Sequence, residues 1–91
     1  MFMLAVKHQV ADYATWKAVY DAFPPTKGGA KFARVNRSTD DANDVLVVAG
    51  FATVADAKGF MSNAEFGAAM KKAGVTTAPR FELYEQVEAT G

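Results

Sequence analysis

The chain has 91 residues, no cysteine, and 10 Lys+Arg against 10 Asp+Glu with one histidine left over. That length allows one domain, residues 1–91, and the missing cysteines exclude disulfides, thiolate metal sites and a cysteine nucleophile. A formal charge of zero argues against nucleic-acid and anionic-membrane partners, which require a basic surface.

At 51% hydrophobic and 12% aromatic, the chain has material for a core and does not read as disordered. No run approaches the ~20 apolar residues of a membrane span. The apolar stretch Met1–Val6 has no positive region before it and is shorter than the ~7–15 residues of a signal core. It is expected to be a strand, in a cytoplasmic protein.

Phe2 to Val10 alternates as that first strand, with Leu4, Val6 and His8 on one face and Met3, Ala5 and Lys7 on the other. Its first half is apolar on both faces, as in a strand covered twice. Asp12 fits a helix N-cap, because its carboxylate can accept free first-turn N–H groups. Tyr13, Trp16, Tyr20 and Phe23 then form one helical stripe, with Val19 beside it. Pro24-Pro25 ends the helix and Lys27-Gly28-Gly29 makes a turn.

Ala30 to Ser38 is the second strand, and Asp40–Asp44 a polar hairpin loop. Val45 to Phe51 shows no alternation and reads as a central strand covered on both faces. Thr53-Val54-Ala55-Asp56 and Ser62-Asn63-Ala64-Glu65 both fit the capping box, and Asn63 is a cap candidate in its own right. Two short helices or one bent helix therefore fill residues 54–73. Their stripes are Val54, Ala57, Phe60, Met61 and then Phe66, Ala69, Met70, Ala73, with Gly74 at C′. Arg80 to Glu88 alternates as a last strand, with Phe81, Leu83 and Val87 inward.

The order β-α-β-β-α-β is the α+β ferredoxin-like arrangement: a four-stranded antiparallel sheet with helices on one face. The second sheet face is then apolar at strands 2–6 and 45–51 with nothing left in the chain to cover it. A homodimer, sheet against sheet, is the expected solution, because monomers rarely expose several hundred Å² of contiguous apolar surface.

The motifs of several ferredoxin-like functions are missing. Val45–Phe51 lacks the basic and aromatic residues of an RNA-recognition strand. No cysteine pair exists for metal transfer. The loop after the first strand, His8 to Asp12, has neither the glycine nor the arginine of a phosphate cradle. The Asp40–Asp44 loop lacks the glycine and closing glutamate of a calcium site, so no metal is expected.

His8, the only imidazole, is the candidate catalytic group, since histidine titrates near neutrality; its bland alternative is a packed histidine at the sheet edge. Tyr13, Trp16 and Tyr20 either pack the core or wall an aromatic pocket, where their polar handles could meet a ligand. Arg34 and Arg80 either pair with carboxylates such as Glu82 and Glu85 or bind ligand.

The element order, the apolar second face, and the residues Phe51-Ala52-Thr53, Ala57, Phe60, Ser62 and Glu65-Phe66 resemble the dimeric α/β-barrel superfamily. Within it, the chain looks like the antibiotic-biosynthesis-monooxygenase-like proteins. Gly59 stands three residues before Ser62, where the family's haem-degrading branch carries a histidine. The resemblance therefore implies the branch that works without metal or cofactor, on an electron-rich aromatic substrate that itself activates oxygen. It implies an oxygenase, isomerase or cyclase for a small aromatic or polyketide-like molecule. Binding residues would be Tyr13, Trp16, Tyr20, Arg34, Phe51, Phe60, Arg80 and Tyr84 around His8. The alternative is a small-molecule-binding or purely dimerising module, its interior filled by Phe and Met. The enzyme reading expects a cavity of a few hundred Å³.

Overall fold

A computed structural model describes residues 1–91. Along the chain it forms β1 (Phe2–Gln9), α1 (Tyr13–Ala22), a 3-10 turn (Pro25–Gly28), β2 (Phe32–Arg37), β3 (Asp44–Phe51), α2 (Val54–Met61), α3 (Ala64–Lys72) and β4 (Arg80–Glu85). The four strands make one sheet in the order β2-β3-β1-β4, and every neighbouring pair is antiparallel. This is the α+β, ferredoxin-like arrangement, with β1 and β3 in the centre.

Local chemistry sets the helix ends. The Asp12 carboxylate accepts the Thr15 N–H at 2.9 Å, which holds its own pKa below the usual carboxylate value. Thr53 Oγ1 accepts the Asp56 N–H at 3.0 Å and starts α2. The α3 cap is Asn63, whose Oδ1 accepts from the N–H groups of Glu65 and Phe66. Ser62 does not take that role; its hydroxyl donates back to the carbonyls of Lys58 and Gly59 and closes α2. Gly74 sits at φ 76°, the left-handed residue that ends α3.

Pleating splits the sheet into two faces. Leu4, Val6 and His8 of β1 lie opposite Ala49, Val47 and Val45 of β3, and all six are buried beneath the helices. Val10, Trp16, Ala30, Phe51, Ala57, Phe60 and Ala73 complete this core. Each large side chain so buried contributes roughly 1.5–3 kcal/mol.

The other face carries Met3, Ala5 and Lys7, Leu46, Val48 and Gly50, with Phe32 and Arg34 on β2 and Glu82 and Tyr84 on β4. No helix lies on it, and Leu46 and Tyr84 are 37% and 56% exposed. The chain itself therefore covers β1 and β3 once, not twice. Gly50 is needed here, because a Cβ at that position would sit 2.2 Å from the Phe32 ring.

The outer strands are shorter than their alternation suggests. β2 begins at Phe32 rather than Ala30, and β4 ends at Glu85 rather than Glu88. Val87 is consequently not inward but 86% exposed, since β4 has lost its ladder partner by then.

Candidate functional site

A cavity lies between the sheet and the helices. Val6, His8, Val47 and Ala49 form its floor. Trp16, Val19, Tyr20 and Phe23 of α1 and its end form one wall, closed by Pro25. Phe60 of α2 and Phe66, Ala69, Met70 and Ala73 from α3 and its cap form the other. Its free volume is about 40 Å³, far below the few hundred Å³ expected from the sequence. That is room for roughly three waters. The reason is side-chain bulk: five aromatic rings fill the space, Phe23 and two close pairs, Trp16 and Tyr20 stacked at 5.1 Å and Phe60 and Phe66 at 4.3 Å.

His8 is the one polar intrusion into the buried floor. It is 5% exposed, and neither Nδ1 nor Nε2 has a hydrogen-bond partner in the chain. No other buried side-chain nitrogen or oxygen is left unpaired. An unpartnered buried polar group costs about 1–3 kcal/mol, so this arrangement opposes stability. Burial pushes the His8 pKa below its ordinary value of 6.5, and the Asp44 carboxylate only partly offsets it. The imidazole is thus neutral at pH 7, offering one N–H donor and one acceptor. Its ring faces Trp16 at 5.6 Å. Tyr20 supplies the other titratable group on the wall, and burial raises its pKa. It too is neutral, with a hydroxyl in place of a charge.

The predicted binding residues divide into three groups. Trp16, Tyr20 and Phe60 meet His8 at the cavity. Phe51 and Tyr13 lie behind that shell. Phe51 is fully buried against Phe60 at 5.6 Å, and Tyr13 packs on Trp16 at 5.7 Å while the Arg37 guanidinium covers its ring at 3.8 Å. Arg34, Arg80 and Tyr84 are on the opposite sheet face and do not reach the cavity. Arg34 lies over the Phe32 ring at 4.8 Å, without a carboxylate partner. Arg80 pairs with Glu82 at 3.2 Å, and Tyr84 donates its hydroxyl to the same carboxylate at 2.8 Å. Strand parity decides this: β4 residues opposite Lys7, Ala5 and Met3 share their face.

In the sequence Phe66, Ala69 and Met70 read only as an apolar helix stripe. Their stripe does face inward, but it looks onto free volume. No local signal distinguishes a helix stripe that fills a core from one that borders a void. The acidic loop Asp40–Asp44 closes on itself, with Ser38 Oγ accepting the Asp40 and Asp41 N–H groups. No cluster of three or more potential metal-ligating side chains forms anywhere in the chain. No helix is long and apolar enough to cross a membrane.

No protein-family model matches the chain, and no curated protein matches its sequence. Solved structures do match its fold. A candidate antibiotic biosynthesis monooxygenase from Bordetella bronchiseptica superposes with a TM-score of 0.80 at 17% identity, over 96% of this chain and 97% of that one. A similarly named protein from Caulobacter crescentus CB15 gives 0.76 at 21% identity, over 96% and 90%. SnoaB, a cofactor-independent oxygenase from Streptomyces nogalater, gives 0.76 at 15% identity, over 97% and 94%. The chain therefore shares the ferredoxin-like fold of these monooxygenase-type proteins.

Proposed function

We propose that this protein is a small cofactor-independent enzyme of the antibiotic-biosynthesis-monooxygenase-like type, an oxygenase, isomerase or cyclase acting on a small aromatic or polyketide-like molecule. One observation carries the reading: His8 is buried in an apolar pocket with both ring nitrogens unpaired. A folding protein gains nothing from that arrangement. A ligand that pairs with the imidazole recovers the loss, and buried unpaired groups with shifted pKa values collect at functional sites.

The chemistry available is proton transfer. A neutral imidazole accepts the proton of a phenolic hydroxyl placed within about 3 Å, leaving an electron-rich phenolate. The apolar walls keep water from competing for that proton. In the oxygenase case the substrate supplies the electrons: 1-naphthol and dioxygen give a naphthoquinone and one water, with atoms balanced and no cofactor. Trp16 and Tyr20 hold the ring by stacking, and Phe60 backs it.

The likeness to SnoaB supports the oxygenase class. The test is dioxygen consumption and quinone absorbance with 1-naphthol. Turnover by the native chain and its loss in His8→Leu are expected. Equal rates in the two proteins would remove His8 from the chemistry.

The same reading includes a homodimer built on the uncovered sheet face, where Met3, Ala5, Leu46 and Val48 form an apolar centre. Arg34, Arg80 and Tyr84 then serve the interface rather than the pocket. A monomeric mass in light scattering at micromolar concentration would remove the dimer. The small cavity favours a second reading, a dimerising module without ligand. It predicts no heat of binding and no turnover for any small aromatic compound.

A further inference from the structure

We infer that α3 is the lid of this pocket: Ala64–Lys72 unfolds locally to admit a ring-sized ligand, carrying away the wall made by Phe66 and Met70. This deepens the ligand reading above and rests on it. The starting point is a mismatch of size. An apolar cavity of about 150 Å³ is known to take benzene, whereas this one offers about 40 Å³. The pocket is partly open to solvent, so a ring can lie at its mouth, but a wall has to move before the ring reaches the buried His8.

Three of the four boundaries are fixed. The floor belongs to β1 and β3, the paired central strands. The α1 wall is pinned by buried Trp16, by the Asp12 cap, and by Asn43 Oδ1, which accepts the Tyr13 N–H at 3.1 Å. α2 is held by buried Ala57 and Phe60.

α3 is capped by Asn63 but lacks the other anchors. It has no buried residue. No hydrogen bond or ion pair joins Ala64–Lys72 to anything beyond its own flanking residues, Asn63, Gly74 and the buried Ala73. Its hold on the core is the Phe66 ring, against Phe60 at 4.3 Å and Phe81 at 6.2 Å. Few buried contacts and solvent-exposed backbone bonds mark a segment that opens below the global unfolding energy.

Its ends, by contrast, are tethered. α2 precedes it directly. After it, the Gly74 carbonyl accepts the Ala11 N–H at 3.0 Å and the Gln9 carbonyl accepts the Thr76 N–H at 2.9 Å. The segment can therefore open and return without disturbing the sheet. Opening as a detached helix is disfavoured, because nine residues are too few to hold helix in water. Gly67 lowers that tendency further.

Gly67→Ala tests this. A Cβ there meets nothing within 4 Å and the helical φ is unstrained, so the change strengthens helix without a clash. Hydrogen exchange on the full chain is expected to show α3 amides exchanging at least about tenfold faster than the core amides of α1. In Gly67→Ala the α3 rates fall about fivefold, α1 rates stay put, and association with 1-naphthol, followed by fluorescence, slows by the same factor. Exchange in α3 as slow as in α1 would overturn the lid, as would equal association rates for the two proteins. Failure of 1-naphthol to bind either protein while α3 still exchanges fast overturns the ligand reading instead, and with it the role assigned to the opening.

Discussion

The two faces of the sheet treat polar side chains in opposite ways. On the open face, Arg80, Glu82 and Tyr84 find one another across a single carboxylate, and Lys7 reaches Asp44 at 3.8 Å. Solvent is at hand for whatever valence remains. On the covered face the same alternation delivers His8 into a layer of Leu, Val, Ala and Phe, and it finds no partner. The two residues differ by one step along β1, Lys7 and His8, yet one is exposed and paired and the other buried and orphaned. A polar group is inexpensive where water can finish its bonding. Where water is excluded, an unpaired group opposes folding, and that cost is what supports the proposed ligand site.

The largest effect should come from the covered face. Phe51→Ala removes a fully buried ring that packs on Phe60. A loss of about 3–5 kcal/mol in urea unfolding is expected. A loss under about 1 kcal/mol would mean that the covered face is not the core.

Next in size is Leu46→Asp on the open face. Leu46 is already 37% exposed, so the folded chain tolerates the charge. The mass in light scattering should halve if this face joins two copies, with a change in monomer stability within about 1 kcal/mol. An unchanged dimer mass would move the interface elsewhere.

His8 gives a pH signature. Its folded pKa lies below the ordinary 6.5. Between those two values the unfolded chain binds more protons, so stability is full above about 6.5 and declines as pH falls toward the folded value. Below that it levels off. His8→Leu should remove this acid-side decline and raise stability at pH 5 by about 1 kcal/mol, because an unpaired group is replaced by an apolar one. Parallel pH curves for the two proteins would mean that folding leaves the His8 pKa unchanged and that the ring is not desolvated.

The smallest effect belongs to Arg80→Ala. Its partner Glu82 is on the open face and the pair is solvent-exposed, which places the change at about 0–1 kcal/mol. A loss above about 2 kcal/mol would place the Arg80–Glu82 pair in the desolvated centre of the dimer contact rather than at its wet rim.

Element order and caps were legible in the chain because they are local. Asp12, Thr53 and Asn63 announce helix starts by their own oxygen atoms, and Pro24-Pro25 and Gly74 announce ends by their backbone limits. The end of β4 was not legible, because alternation continues to Val87 after the ladder has stopped, and side-chain pattern carries no record of whether a partner strand is still alongside.

The candidate site was half legible. His8, Trp16, Tyr20 and Phe60 share a face by parity and helical spacing, and periodicity encodes that directly. Arg34, Arg80 and Tyr84 fit a binding role by residue type, but parity places them on the other face of the sheet.

The sequence by itself determined the β-α-β-β-α-β order, the inward stripes and the position of its only imidazole on the buried face of β1. Those follow from periods of 2 and 3.6 residues and from capping chemistry, which act over a few residues. Only the tertiary structure decided that both nitrogens of His8 go unpaired, that five rings shrink the cavity to about 40 Å³, and that α3 borders it without being buried. Those are properties of volume, set by how side chains from β1, β3 and three helices fill one space, and no one segment contains that information.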